Sequence, residues 1–138
     1  MNNYKFDDIK LNMQEEFNVE ITQNMQESFR EISGDINPMH SNVEFAKAKG
    51  FDNILVFGML TASFFSKLVG VYLPGENCLF QECKEIKFHK PVFIGDVLTV
   101  TGTVVEIDER FRRITIKSII RNQNNVKVCS GKLIVGVL

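Results

Sequence analysis

Apolar and polar residues follow two different periods along this chain. The first half carries helical spacing after one short alternating run, and the second half reads as strand segments joined by turns. Phe17-Asn18-Val19-Glu20-Ile21 alternates as a half-buried strand does. Thr22 can cap a helix, and Gln23 to Ile32 places Met25, Phe29 and Ile32 at helical spacing before Ser33-Gly34 ends it. Asn42 or Ser41 can cap a second helix, with Phe45, Ala46 and Ala48 as its apolar positions and Gly50 as its stop. Ile54-Leu55-Val56-Phe57 is a short apolar run with strand propensity. From Gly58 to about Val71 the spacing predicts one long helix. Leu60, Phe64, Leu68 and Tyr72 mark one face of it, and Ala62, Phe65 and Val69 widen that face. A helix apolar on so much of its circumference must be wrapped by other structure. Ser63, Ser66 and Gly70 form a strip of small residues where something can approach closely, and Leu73-Pro74-Gly75 ends the helix.

Beyond that point the chain reads as strand. Cys78 to His89, Val97 to Ile107, Ile114 to Ile120 and Val126 to Val137 are the strand segments. Asp108-Glu109-Arg110 and Asn122 to Asn125 are polar turns, so the last three strands predict an antiparallel meander. The fold class is α+β, with a long central helix packed on an antiparallel sheet. One sheet can bury such a helix only by curling around it. A single domain spans residues 1–138, and residues 1–16, anchored only by Tyr4, Phe6, Ile9 and Leu11, are expected to be a loosely ordered extension.

Composition narrows the partners. With 138 residues, 44% hydrophobic and 24% charged, the chain can bury a real core. A net charge of −1 favours neither nucleic acid nor an anionic membrane. The N-terminus lacks an apolar core of signal-peptide length, and no stretch reaches the ~20 apolar residues a membrane span needs. Three cysteines in no paired framework suit a reducing compartment, and a cytoplasmic location is expected. Cys78-x4-Cys83 with only two histidines in the chain is not a zinc ligand set, so no metal is expected.

The candidate chemistry lies in Ser33-Gly34-Asp35-Ile36-Asn37-Pro38-Met39-His40. Pro38 lacks an N–H and biases Asn37 toward extended backbone, while Gly34, Asp35 and Asn37 favour tight turns. The segment predicts a bent loop leaving a helix, on which Asp35 and His40 converge. Such a pair can move protons to and from a water molecule. His89, between Lys87 and Lys90 on a strand, is expected at the surface.

The same stretch resembles the hydratase signature of the MaoC-like, (R)-specific enoyl-CoA hydratase family. The likeness continues through Phe45-Ala46, Gly50-Phe51, Phe57-Gly58-Met59-Leu60, Phe65-Ser66 and Leu73-Pro74-Gly75, to Phe88-x-Lys90-Pro91-Val92-x-x-Gly95-Asp96. The resemblance implies the hot-dog fold, an antiparallel sheet wrapped around a central helix, in a homodimer or higher homo-oligomer. It implies that Asp35 and His40 hold and activate water for syn addition across a trans-2-enoyl thioester. Gly58 would donate its backbone N–H to the thioester oxygen, with Phe57 and Met59 beside it at the substrate. Ser33, Asn37 and Ser66 would support the loop. Coenzyme A or carrier phosphopantetheine would enter as part of the substrate, with no separate cofactor. The family usually has histidine where this chain has Phe57, which removes a polar group beside the oxyanion site. A hot-dog acyl thioesterase and a non-catalytic acyl-thioester-binding subunit are the alternative functions.

Overall fold

Alternation of side chains across the pleat builds the frame. In a computed structural model describing residues Met1–Leu138, five strands form one antiparallel sheet: β1 (Gln14–Glu20), β2 (Cys78–Phe88), β3 (Val97–Asp108), β4 (Arg113–Arg121) and β5 (Lys127–Val137), in the order β1-β3-β4-β5-β2. On β3 and β4 the buried positions alternate, with Leu98, Val100, Val104, Ile114, Ile116 and Ile120 fully buried. The three helices are α1 (Gln23–Ser33), α2 (Val43–Ala48) and α3 (Gly58–Lys67). Thr22 caps α1 by accepting from the Met25 N–H at 3.2 Å, and Asn42 caps α2 through the Phe45 N–H at 2.9 Å.

The sheet curls. α3 continues into a π-helical turn, Leu68–Tyr72, and together they touch both edge strands, β1 and β2, as well as β3 and β5. Two sheet glycines let the helix come close. A Cβ on Gly102 would stand 2.7 Å from Leu68 Cδ2, and one on Gly131 would stand 3.1 Å from the Phe65 ring. Phe65 and Leu68 are almost fully buried there, each contributing roughly 2 kcal/mol by leaving water. At the β1 edge the Phe17 ring stacks on Tyr72 at 5.0 Å.

Two expectations are corrected and one, the extent of the long helix, holds with a change of bonding. Residues 54–57 form no strand, although Val56 N–H donates to the Val92 carbonyl at 2.8 Å. The neighbouring backbone groups are taken by side chains, as described below, so no ladder can form. The long helix keeps α-helical bonding only to Lys67 and then widens by one residue per turn, with Leu73 N–H donating to Leu68 O at 2.9 Å. The N-terminal residues pack on the domain instead of extending from it. Asn2 N–H donates to Val71 O at 2.8 Å, Tyr4 Oη donates to Glu15 Oε1 at 2.6 Å, and Phe6 and Ile9 are buried. No helix is long and apolar enough to cross a membrane.

Candidate active site

The loop after α1 is held by its own polar side chains. Gly34 takes a φ of 69° as the left-handed cap of α1, a conformation that glycine enters without a Cβ clash. Ser33 Oγ accepts from the Asp35 N–H at 3.2 Å. Asp35 Oδ1 accepts from Asn37 N–H at 3.0 Å, and Asn37 Oδ1 accepts from Met39 N–H at 2.9 Å. These successive turns bring His40 back against the segment 54–58. Its Nδ1 lies 2.8 Å from the Leu55 carbonyl oxygen. A carbonyl only accepts, so Nδ1 carries a proton, and the tautomer this selects has its lone pair on Nε2.

Behind the loop sits Gln26, 3% exposed, which the periodicity of α1 does not single out. Its amide nitrogen donates to His40 O at 3.1 Å and Leu55 O at 2.9 Å, and its oxygen accepts from Phe57 N–H at 3.3 Å. The buried Phe57 ring lies with its centroid 4.0 Å from the imidazole and 5.2 Å from Phe29. Phe57 therefore backs His40 and does not border the cavity described next.

That cavity, about 310 Å³, is lined by His40, Phe51, Leu55, Gly58, Thr61 and Phe88 among others. Gly58 opens α3, so its N–H is one of the donors that a helix start leaves unpaired, at the positive end of the dipole. A Cβ here would stand 3.1 Å from the Phe88 ring, so a larger residue would press on that ring. His89 and Lys90 also line the cavity. His89 is exposed as expected, yet it stands at the mouth, with Nε2 2.8 Å from Ser130 Oγ. Its pKa is held below the usual histidine value, first by partial loss of hydration and then by the charges of Lys127 and Lys87.

The structure thus brings His40 and Gly58 onto one cavity. Asp35 is exposed and stands outside that lining, its Oδ1 committed to Asn37. Met59 and Ser66 line a second, mostly apolar cavity of about 310 Å³ with Phe29, Phe80, Cys83 and Ile86. Ser66 sits two turns along α3 from Gly58 and lines that second cavity.

A sheet curled around an apolar helix, whose N-terminus meets a histidine loop in a cavity, is the hot-dog architecture that the sequence implied. Residues 7–126 match the MaoC like domain, and the chain belongs to that family. Over 108 residues it is 33% identical to an (R)-specific enoyl-CoA hydratase of Aeromonas caviae, covering 78% of this chain and 80% of that protein. It is 31% identical over 108 residues to a mitochondrial 3-hydroxyacyl-(acyl-carrier-protein) dehydratase of Arabidopsis thaliana, covering 76% of this chain and 63% of the relative. The solved (R)-hydratase of Aeromonas caviae involved in PHA biosynthesis superposes with a TM-score of 0.89 at 28% identity, over 94% of this chain and 98% of that one.

Proposed function

We propose that this chain catalyses the reversible hydration of a trans-2-enoyl thioester to the (R)-3-hydroxyacyl thioester. The observation that carries the reading is the meeting of His40, fixed with a free Nε2, and the Gly58 N–H in one apolar cavity. As water adds at the β carbon, the double-bond electrons move onto the thioester oxygen. The unpaired Gly58 N–H and the helix dipole stabilise that charge in a site of low dielectric. We assign activation of the water to His40 Nε2 in the cavity, paired with Asp35, which stands on the same loop but outside the cavity lining of the single chain. One proton leaves the water as the new C–O bond forms, and a proton is delivered to the α carbon on the same face. Asp35 Oδ2 is the oxygen left for this, since Oδ1 holds the loop. Ser33 and Asn37 act by positioning that carboxylate. Proton transfer and polarisation complete the reaction, so we assign no metal and no resident cofactor.

The carrier is anionic. No residue lining the cavity is acidic, and Lys90 and His89 stand at its mouth with Lys87 and Lys127 nearby, which suits the phosphates of coenzyme A or carrier phosphopantetheine. The apolar walls Phe51 and Leu55 suit a fatty acyl group. The three free thiols suit the reducing cytoplasm, and cell fractionation would check that placement.

A hot-dog thioesterase would direct water to the carbonyl carbon instead. Incubation with crotonyl-CoA separates the two reactions. Hydration removes the enoyl absorbance with no free thiol and leaves (R)-3-hydroxybutyryl-CoA. Thiol release at the rate of absorbance loss would contradict the reading. An unchanged spectrum with short and long enoyl-CoA alike would leave the acyl-binding subunit as the surviving account.

A further inference from the structure

Thr61 is 2% exposed, and its hydroxyl oxygen is the one buried side-chain polar atom without a hydrogen-bond partner. A helical threonine ordinarily satisfies itself by donating to a carbonyl three or four residues back. Ser63, on the same helix, does so through Leu60 O at 2.7 Å. Thr61 does not, although its own N–H donates to Phe57 O at 3.2 Å and the carbonyls of Phe57 and Gly58 are both within that range of sequence. Leaving a hydroxyl buried and unpaired costs stability, so its retention calls for a partner that arrives later.

The placement indicates which partner. Thr61 follows Gly58 by three residues in α3, so the two share a helix face. Side chains of an α-helix lean toward its N-terminus, which places the Thr61 side chain on the Gly58 side of the cavity wall. Both residues line the cavity that holds His40. Phe57 brings no donor to this helix end, because it is an aromatic ring turned to His40 and Phe29. The half-exposed Phe88 ring lies against Gly58 and keeps this corner apolar.

We propose that Thr61 is a catalytic residue, its Oγ–H giving the thioester oxygen a second hydrogen bond beside the Gly58 N–H. The assignment rests on the hydratase reading above. No proton leaves Thr61. The hydroxyl donates most strongly when the oxygen carries the enolate charge and returns to its unpaired state on product release. A donor of this kind lowers the barrier more than it tightens the ground state.

The test compares the parent, Thr61→Val and Thr61→Ser with crotonyl-CoA as probe, reading kcat, KM and melting temperature. Valine replaces the hydroxyl by a methyl of the same shape. Thr61→Val is expected to lose roughly a hundredfold in kcat with KM little changed. It should also melt at a higher temperature than the parent, since the unpaired buried group is gone. Thr61→Ser should keep most of the turnover. Parental kcat in Thr61→Val would overturn the role of Thr61 alone. A lower melting temperature accompanying the lost activity would overturn it too, by showing that the hydroxyl is structural. A parent inactive on crotonyl-CoA and on trans-2-decenoyl-CoA would overturn the hydratase reading, and this role with it.

Discussion

Gln26 shows what a single side chain can hold together. Three backbone groups on two loops meet its amide, and all lie near the imidazole that the chemistry needs. Replacing it by alanine strands the His40 carbonyl and the buried Phe57 N–H, while the Leu55 carbonyl keeps only His40 Nδ1. At roughly 1 kcal/mol for each stranded group, Gln26→Ala should cost about 2 kcal/mol. The loss is read as a lower urea midpoint at unchanged slope. Turnover should fall as well, because His40 loses part of its support. Parental stability and turnover in this variant would show that the clamp is dispensable. Nothing in the sequence marks Gln26, because its partners lie 14, 29 and 31 residues away. The bent loop that carries Asp35 and His40 was legible because glycine, asparagine and proline restrict the chain between and before them. Which imidazole nitrogen is free was not, since it depends on the Leu55 carbonyl.

At the scale of elements, legibility followed how regular the hydrogen bonding is. The strands β3, β4 and β5 sit inside the sheet with two neighbours each, so their apolar faces alternate and their ends fall close to the expected ones. β1 starts earlier than its alternation suggests. Gln14, Glu15 and Glu16 pair with Thr103, Gly102 and Thr101, and the side-chain contact there, Gln14 on the Thr103 hydroxyl, is polar and leaves no apolar trace. The run 54–57 has strand-forming residues, yet its polar backbone atoms serve Gln26 and His40, and tertiary use overrides propensity. The strip Ser63, Ser66 and Gly70 offered a place for close approach, but the approach of helix to sheet is not made there. It rests instead on Gly102 and Gly131 of the sheet, while an added Cβ on Gly70 would meet nothing within 4 Å.

The whole molecule has two sheet edges, and they differ. β1 ends the sheet with Gln14, Glu15, Glu16, Asn18 and Glu20, and edge carboxylates discourage strand pairing. β2 ends it with Leu79, Phe80 and Phe88 exposed, beside an exposed Met59 and the second apolar cavity. Apolar surface along a free edge calls for a partner, and a second copy of this chain, meeting it edge to edge, closes the assembly by a twofold axis. We therefore propose a homodimer formed through β2. Light scattering at micromolar concentration should return twice the chain mass, and Phe80→Glu should reduce it to one. A monomeric parent would contradict the assignment. The curl of the sheet around α3 was inferred from the apolar circumference of the helix. Its closure, by contact with both edges, depends on pairings between distant strands that periodicity does not contain.

The most direct measurement is loss of enoyl absorbance from crotonyl-CoA with the parent and with Asp35→Asn side by side. Asparagine keeps the oxygen that accepts from Asn37 N–H, so the loop and the melting temperature should be preserved while the charge is removed. Hydration by the parent, and a fall of at least about a hundredfold in the variant, is the result this account predicts. A folded variant that retains most of the parental rate would show that Asp35 is not part of the acid–base pair and would contradict it.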